Sequence, residues 1–118
     1  MSLATLWLRG FGLTIAIEES IAVPLLAPVE PGRVRRVLAV LLANLATHPL
    51  VWFFFTRLGW PWVLGATAAE VWAFGFEIIA YKVIFPRATW TRCAATSVAA
   101  NMTSFLAGLL AVEWGMFR

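Results

Sequence analysis

The sequence predicts an all-α fold: a four-helix transmembrane bundle forming one domain over residues 1–118. Three observations predict it. Hydrophobic residues make up 62% of the chain and charged residues only 13%. A soluble domain is nearer half apolar and a quarter charged. The mean hydropathy is +0.85. The apolar residues also fall into four long stretches, parted by short segments rich in proline, glycine and arginine. At ~20 residues per crossing, four stretches use about 80 residues and leave room only for short loops.

The first span is expected within residues 3–27. Arg9 near its start can snorkel to the headgroups, and Glu18 and Glu19 interrupt its apolar run. No basic residue precedes Arg9, so the segment does not read as a cleavable leader and no cleavage is expected. Pro24, Pro28 and Pro31 make its exit irregular, since each removes a backbone donor. The loop that follows holds Arg33, Arg35 and Arg36.

The second span is expected at about 37–57. Asn44 and His48 are four residues apart and share a face. Pro49 removes the donor for the Leu45 carbonyl and should kink the helix there. The turn Leu58-Gly59-Trp60-Pro61 leads into the third span, about 62–85, which Pro86 ends. This span carries Glu70 and Glu77 two helical turns apart, roughly 10 Å along the axis and on one face. Tyr81 continues that stripe and Lys82 follows it.

The fourth span is expected at about 88–114, joined to the third by a short basic connection with Arg87 and Arg92. Ser97, Asn101 and Ser104 fall on one of its faces. Thr96, Ala100, Ser104 and Gly108 put a small residue at every fourth position, which lets another backbone approach. Trp7, Trp60, Trp62, Trp90 and Trp114 sit near span ends as an interfacial belt. Trp52 and Trp72 lie deeper and are expected to pack. Cys93, the one cysteine, is expected to be a small apolar filler; alone it forms no intrachain disulfide.

The net charge of +3 comes from arginines near span ends, which suits lipid headgroups and not nucleic acid. Arg33, Arg35, Arg36, Arg87 and Arg92 lie on one side of the expected layout, with Lys82 near them. Arg9, Arg57 and Arg118 lie on the other. The positive-inside rule then places the basic loops in the cytoplasm and both termini outside, in an inner (plasma) membrane.

Every expected span has polar residues near mid-depth: Glu18 or Glu19, then Asn44 and His48, then Glu70 and Glu77, then Asn101. Tyr81, Ser97 and Ser104 would support them. Lipid penalises each such group separately, so a set in all four spans points to a shared interior. Only one of Glu18 and Glu19 can face it fully, because adjacent helical residues differ by about 100°. Glu19 is the one favoured, on the side leading to Val23.

Three uses fit these residue types. Carboxylates beside an imidazole can exchange protons or hold a cation or small solute. A divalent metal would suit His48, Glu70 and Glu77, although no Glu-x-x-His or His-Glu-x-x-His spacing is present. The set can also be a hydrogen-bond network that fixes helix register. No nucleophile elbow, phosphate loop or dinucleotide fingerprint occurs. The expected activity is ion, proton or small-solute handling. The alternatives are an accessory or assembly subunit of a membrane complex and an intramembrane metalloenzyme. The expected partners are the bilayer and a second copy or a larger complex.

The pattern Asn44-x-x-Thr47-His48-Pro49, then Glu70 and Glu77, then Ser97-x-x-x-Asn101-x-x-Ser104-x-x-x-Gly108 resembles a group of small four-span bacterial membrane proteins without an established activity. That resemblance implies the span layout and supplies no chemistry. In outline the chain is also similar to small multidrug resistance transporters, which have a glutamate in the first of four spans. It departs from them in the acids of the third span and the His-Pro of the second, so nothing is carried over.

Overall fold

The computed structural model describes Met1–Arg118. Four α-helices follow one another: α1 Leu3–Leu26, α2 Arg33–Phe53, α3 Trp62–Ile84 and α4 Trp90–Glu113. A 3-10 turn at Phe55–Arg57 closes α2. Ser2 caps α1 by accepting from the Thr5 amide, and Thr89 caps α4 by accepting from the Arg92 amide. Pro49 does not end α2, which continues to Phe53.

Each helix packs on the next and α4 closes on α1, while the diagonal pairs stay apart. Short connections make neighbours antiparallel, so the topology is up-down-up-down. Two long-range bonds fix the ends. Arg92 Nη1 donates to the Leu25 carbonyl at 2.8 Å, and Arg9 Nη1 donates to the Met116 carbonyl at 3.3 Å.

Three helices are long and apolar enough to cross a membrane: α2 with its 3-10 turn, α3 and α4. The expectation of four is corrected here. α1 has the length, but Arg9, Glu18 and Glu19 within 24 residues lower its apolarity. The long axis of 41 Å exceeds the ~30 Å hydrocarbon thickness. The chain is therefore a multi-pass membrane protein.

Its surface is apolar and much of its interior is polar, the reverse of a soluble domain. Leu38, Leu42 and Leu45 on α2, Val71, Ile79 and Val83 on α3, and Val98 and Leu106 on α4 all face outward. Trp62, Trp90 and Trp114 are exposed at the ends, as an interfacial belt requires. Trp7 is instead half-buried and stacks on Phe11. Trp72 does not pack as expected: it is 37% exposed and leans on Phe76. Its position on α3 turns it outward.

One end of the bundle is closed and basic. α2 begins at Arg33, earlier than expected, so Arg33, Arg35 and Arg36 form its first turn and not a loop. Arg36 Nη1 donates to the Val23 carbonyl at 2.6 Å, beside the Arg92 bond to Leu25. Both carbonyls belong to the last turn of α1, which has no intrahelical donors left for them. The cations also complement the negative end of that helix. Lys82 Nζ donates to the carbonyls of Pro86 and Ala88 at 3.0 and 2.7 Å and holds the α3–α4 turn. Ala22, Leu26, Val40, Phe85, Cys93 and Ala100 fill the space behind them. Cys93 is a buried filler there, free of any disulfide.

Candidate functional site

The face of α4 that carries Ser97, Asn101 and Ser104 is buried from Cys93 to Ser104. Offsets of four and seven keep these side chains in one row. Each joins a different neighbour. Ser97 Oγ donates to the Phe74 carbonyl of α3 at 3.0 Å. The Asn101 amide donates to the Glu77 carboxylate of α3 and, at 2.9 Å, to the Ser97 carbonyl. Ser104 Oγ donates to Glu18 Oε1 of α1 at 2.8 Å. One row of small polar side chains thus ties three helices together at mid-depth.

A cavity of about 570 Å³ lies in the half of the bundle that holds the chain termini. Its lining comes from α1 as far as Glu18, the second half of α2 with the 3-10 turn and loop that follow, the first half of α3, the second half of α4 and Phe117. Glu18, Asn44, His48, Glu70, Asn101 and Ser104 all border it. Its walls are aromatic, with Trp52, Trp60, Trp62 and Phe105. The volume lies within the ~300–1,000 Å³ typical of small-molecule sites. Gly65 and Gly108 also line it, and a Cβ at either would meet no atom within 4 Å.

The acids divide into three groups. Glu18, 1% exposed, points inward to the cavity. Glu19, the one favoured from sequence, is only half-buried and does not border the cavity. The 100° step between them gives the interior to Glu18. Glu70 borders the cavity and is half-buried. Glu77 and Tyr81, both fully buried, lie beyond the cavity toward the closed end. The stripe Glu70–Glu77–Tyr81 therefore starts in the cavity and runs on below it.

His48 is held among rings. Its imidazole centroid lies 5.2 Å from Phe11, 6.2 Å from Trp52 and 6.4 Å from Trp7. Its Nδ1 has no hydrogen-bond partner in the protein. Asn44, one turn before it, donates to the Val40 carbonyl at 3.0 Å. Several other buried polar atoms also lack a protein partner: Glu18 Oε2, Glu77 Oε1, Tyr81 Oη and Thr96 Oγ1.

The metal option does not fit this arrangement. No three His, Cys, Asp or Glu side chains are grouped so as to hold an ion. His48 and Glu70 both border the cavity, but His48 is packed among rings and Glu77 lies beyond the cavity. The small-residue ladder is used inside the chain, since Thr96, Ala100 and Ser104 are buried in the bundle and Gly108 borders the cavity.

Sequence reasoning missed the wall role of Trp52, Trp60 and Trp62 and the unpartnered Thr96 hydroxyl. Thr14, one turn before Glu18 and on its face, borders the cavity with it.

No protein-family model matches the chain, and neither does any curated protein or solved structure. The resemblance to small four-span membrane proteins is thereby left without support. The three apolar helices also contradict its span layout.

Proposed function

We propose that this protein binds and handles a small cationic solute within the membrane. The observation that carries this reading is that Glu18 of α1 and Glu70 of α3 border one cavity of about 570 Å³. A cavity of that size takes a small organic molecule. Two carboxylates favour a positive charge on it, and the faces of Trp52, Trp60 and Trp62 attract a cation while accepting an apolar body. Asn44 and Asn101 would orient the solute by hydrogen bonds. The basic end would face the cytoplasm by the positive-inside rule, and the cavity and both termini would face the other side of an inner (plasma) membrane.

The test uses the protein in lipid nanodiscs and two ions of nearly equal shape and opposite charge, tetraphenylphosphonium and tetraphenylborate. Tryptophan fluorescence, corrected with empty discs, reports binding. The expected result is saturable quenching by the cation and not by the anion, weakened at least tenfold by Glu18→Gln with Glu70→Gln. Equal responses to both ions, or no saturable response to the cation, would overturn the reading.

A further inference from the structure

We propose that the closed half of the bundle conducts protons between the cavity and the basic end, through Glu77 and Tyr81 with bridging water. The inference rests on the solute-site reading for its purpose, since it would couple that site to the opposite side of the membrane. It stands on separate observations.

The first is the placement of polar atoms. Glu77 Oε1, Tyr81 Oη and Thr96 Oγ1 are all buried and all without a protein partner. A network built only to fix helix register would pair such atoms with one another, because an unmade hydrogen bond is costly in a dry interior. Here each is buried without a partner in the protein. Buried polar atoms in that state are commonly bridged by water.

The second is order along the axis. Glu70 borders the cavity, Glu77 follows two turns on, and Tyr81 one turn further on the same face. Thr96 lies on α4, in the half of that helix nearest the basic end. Asn101 occupies the other carboxylate oxygen of Glu77, which leaves Oε1 as the oxygen free to exchange a proton.

The titratable groups that act on Glu77 and Tyr81 come from α1, α3 and α4. α1 supplies Glu18 and Glu19, α3 supplies Glu70, and α4 supplies Cys93. The cations Arg36 of α2, Lys82 of α3 and Arg92 of α4 are engaged by backbone carbonyls at the basic end, and His48 of α2 lies among aromatic rings. A proton held at Glu18 or Glu70 passes by water to Glu77 Oε1. Glu77 releases it to a second water. Tyr81 Oη then accepts a proton on its lone pair as its own O–H proton leaves toward Thr96 and the basic end. Each carrier returns to its starting charge, and no redox partner is needed.

The test reconstitutes the full chain in liposomes that contain pyranine, with potassium and valinomycin setting the driving force. The wild type should acidify the lumen faster than empty liposomes do. Tyr81→Phe, which keeps the ring, should cut that rate at least tenfold, and Glu77→Gln should do the same. Thr103→Ala, on the outer face of α4, should leave it unchanged. Quenching by tetraphenylphosphonium should survive Tyr81→Phe, because Tyr81 does not border the cavity. A wild-type rate equal to that of empty liposomes, or full conduction by Tyr81→Phe, would overturn the inference. If Glu77→Gln fails to fold, Thr96→Val with Tyr81→Phe carries the test. Lost cation binding with intact proton flux would sink the solute reading and leave this one standing.

Discussion

The hydroxyl of Ser104 donates a 2.8 Å hydrogen bond to Glu18 Oε1, joining α4 to α1 across 86 positions of sequence. It holds one carboxylate of the cavity in place while the other oxygen of Glu18 stays unpartnered. Ser104→Ala should leave both oxygens without a donor and destabilise the bundle by about 1–3 kcal/mol. Unfolding in mixed detergent micelles measures it. Glu18→Gln, which keeps an acceptor for Ser104, should cost less.

Two glycines should respond in opposite ways. A Cβ at Gly108 meets open space, and the residue borders the cavity. Gly108→Leu should keep or raise stability, since leaving glycine gains about 1 kcal/mol of helix propensity. It should also abolish quenching by tetraphenylphosphonium by filling the cavity. A Cβ at Gly10 would come within 2.8 Å of Trp52 Cζ2. Gly10→Ala should push that ring aside and destabilise by about 1–3 kcal/mol.

Arg36 and Arg92 both end on carbonyls of the last turn of α1. Arg92→Ala should lower stability by about 1–2 kcal/mol, the net value of a charge-assisted hydrogen bond at a helix terminus. Arg36→Ala should behave alike, and the double variant should loosen the end of α1 enough to raise its amide exchange. Unchanged exchange in the double variant would show that the clamps do not hold that turn.

The two ends of the bundle should differ in sidedness. In a Cys93→Ala background, Pro31→Cys and Arg87→Cys mark the basic end, and Met116→Cys marks the terminal end. A membrane-impermeant maleimide should label only Met116→Cys from outside intact cells. Labelling of Pro31→Cys from outside would invert the orientation.

Much of the architecture was legible without coordinates. Long apolar runs bounded by proline and arginine locate helices because backbone groups in lipid must bond internally. The expected third span, 62–85, and the observed α3, Trp62–Ile84, differ by one residue. Three arginines before residue 37 read as a loop in sequence, yet α2 begins at Arg33. Arg33 instead reaches solvent, Arg35 pairs with Glu30 at 3.2 Å, and Arg36 reaches a carbonyl of α1. The sequence also predicts a fourth span in α1, but its three charges, Arg9, Glu18 and Glu19, leave only the other three helices apolar enough to cross.

The residue types, their order and the period of a helix determined that this chain would be all-helical, would live in lipid, and would carry rows of polar side chains on particular faces. How far each helix is rotated and how closely it approaches its neighbours was settled only in three dimensions. Those choices turned Glu18 inward and Glu19 aside, opened a cavity at one end, and sealed Glu77 and Tyr81 beneath it. The physical reason is that periodicity is local, whereas rotation and depth are fixed by the packing of all four helices at once.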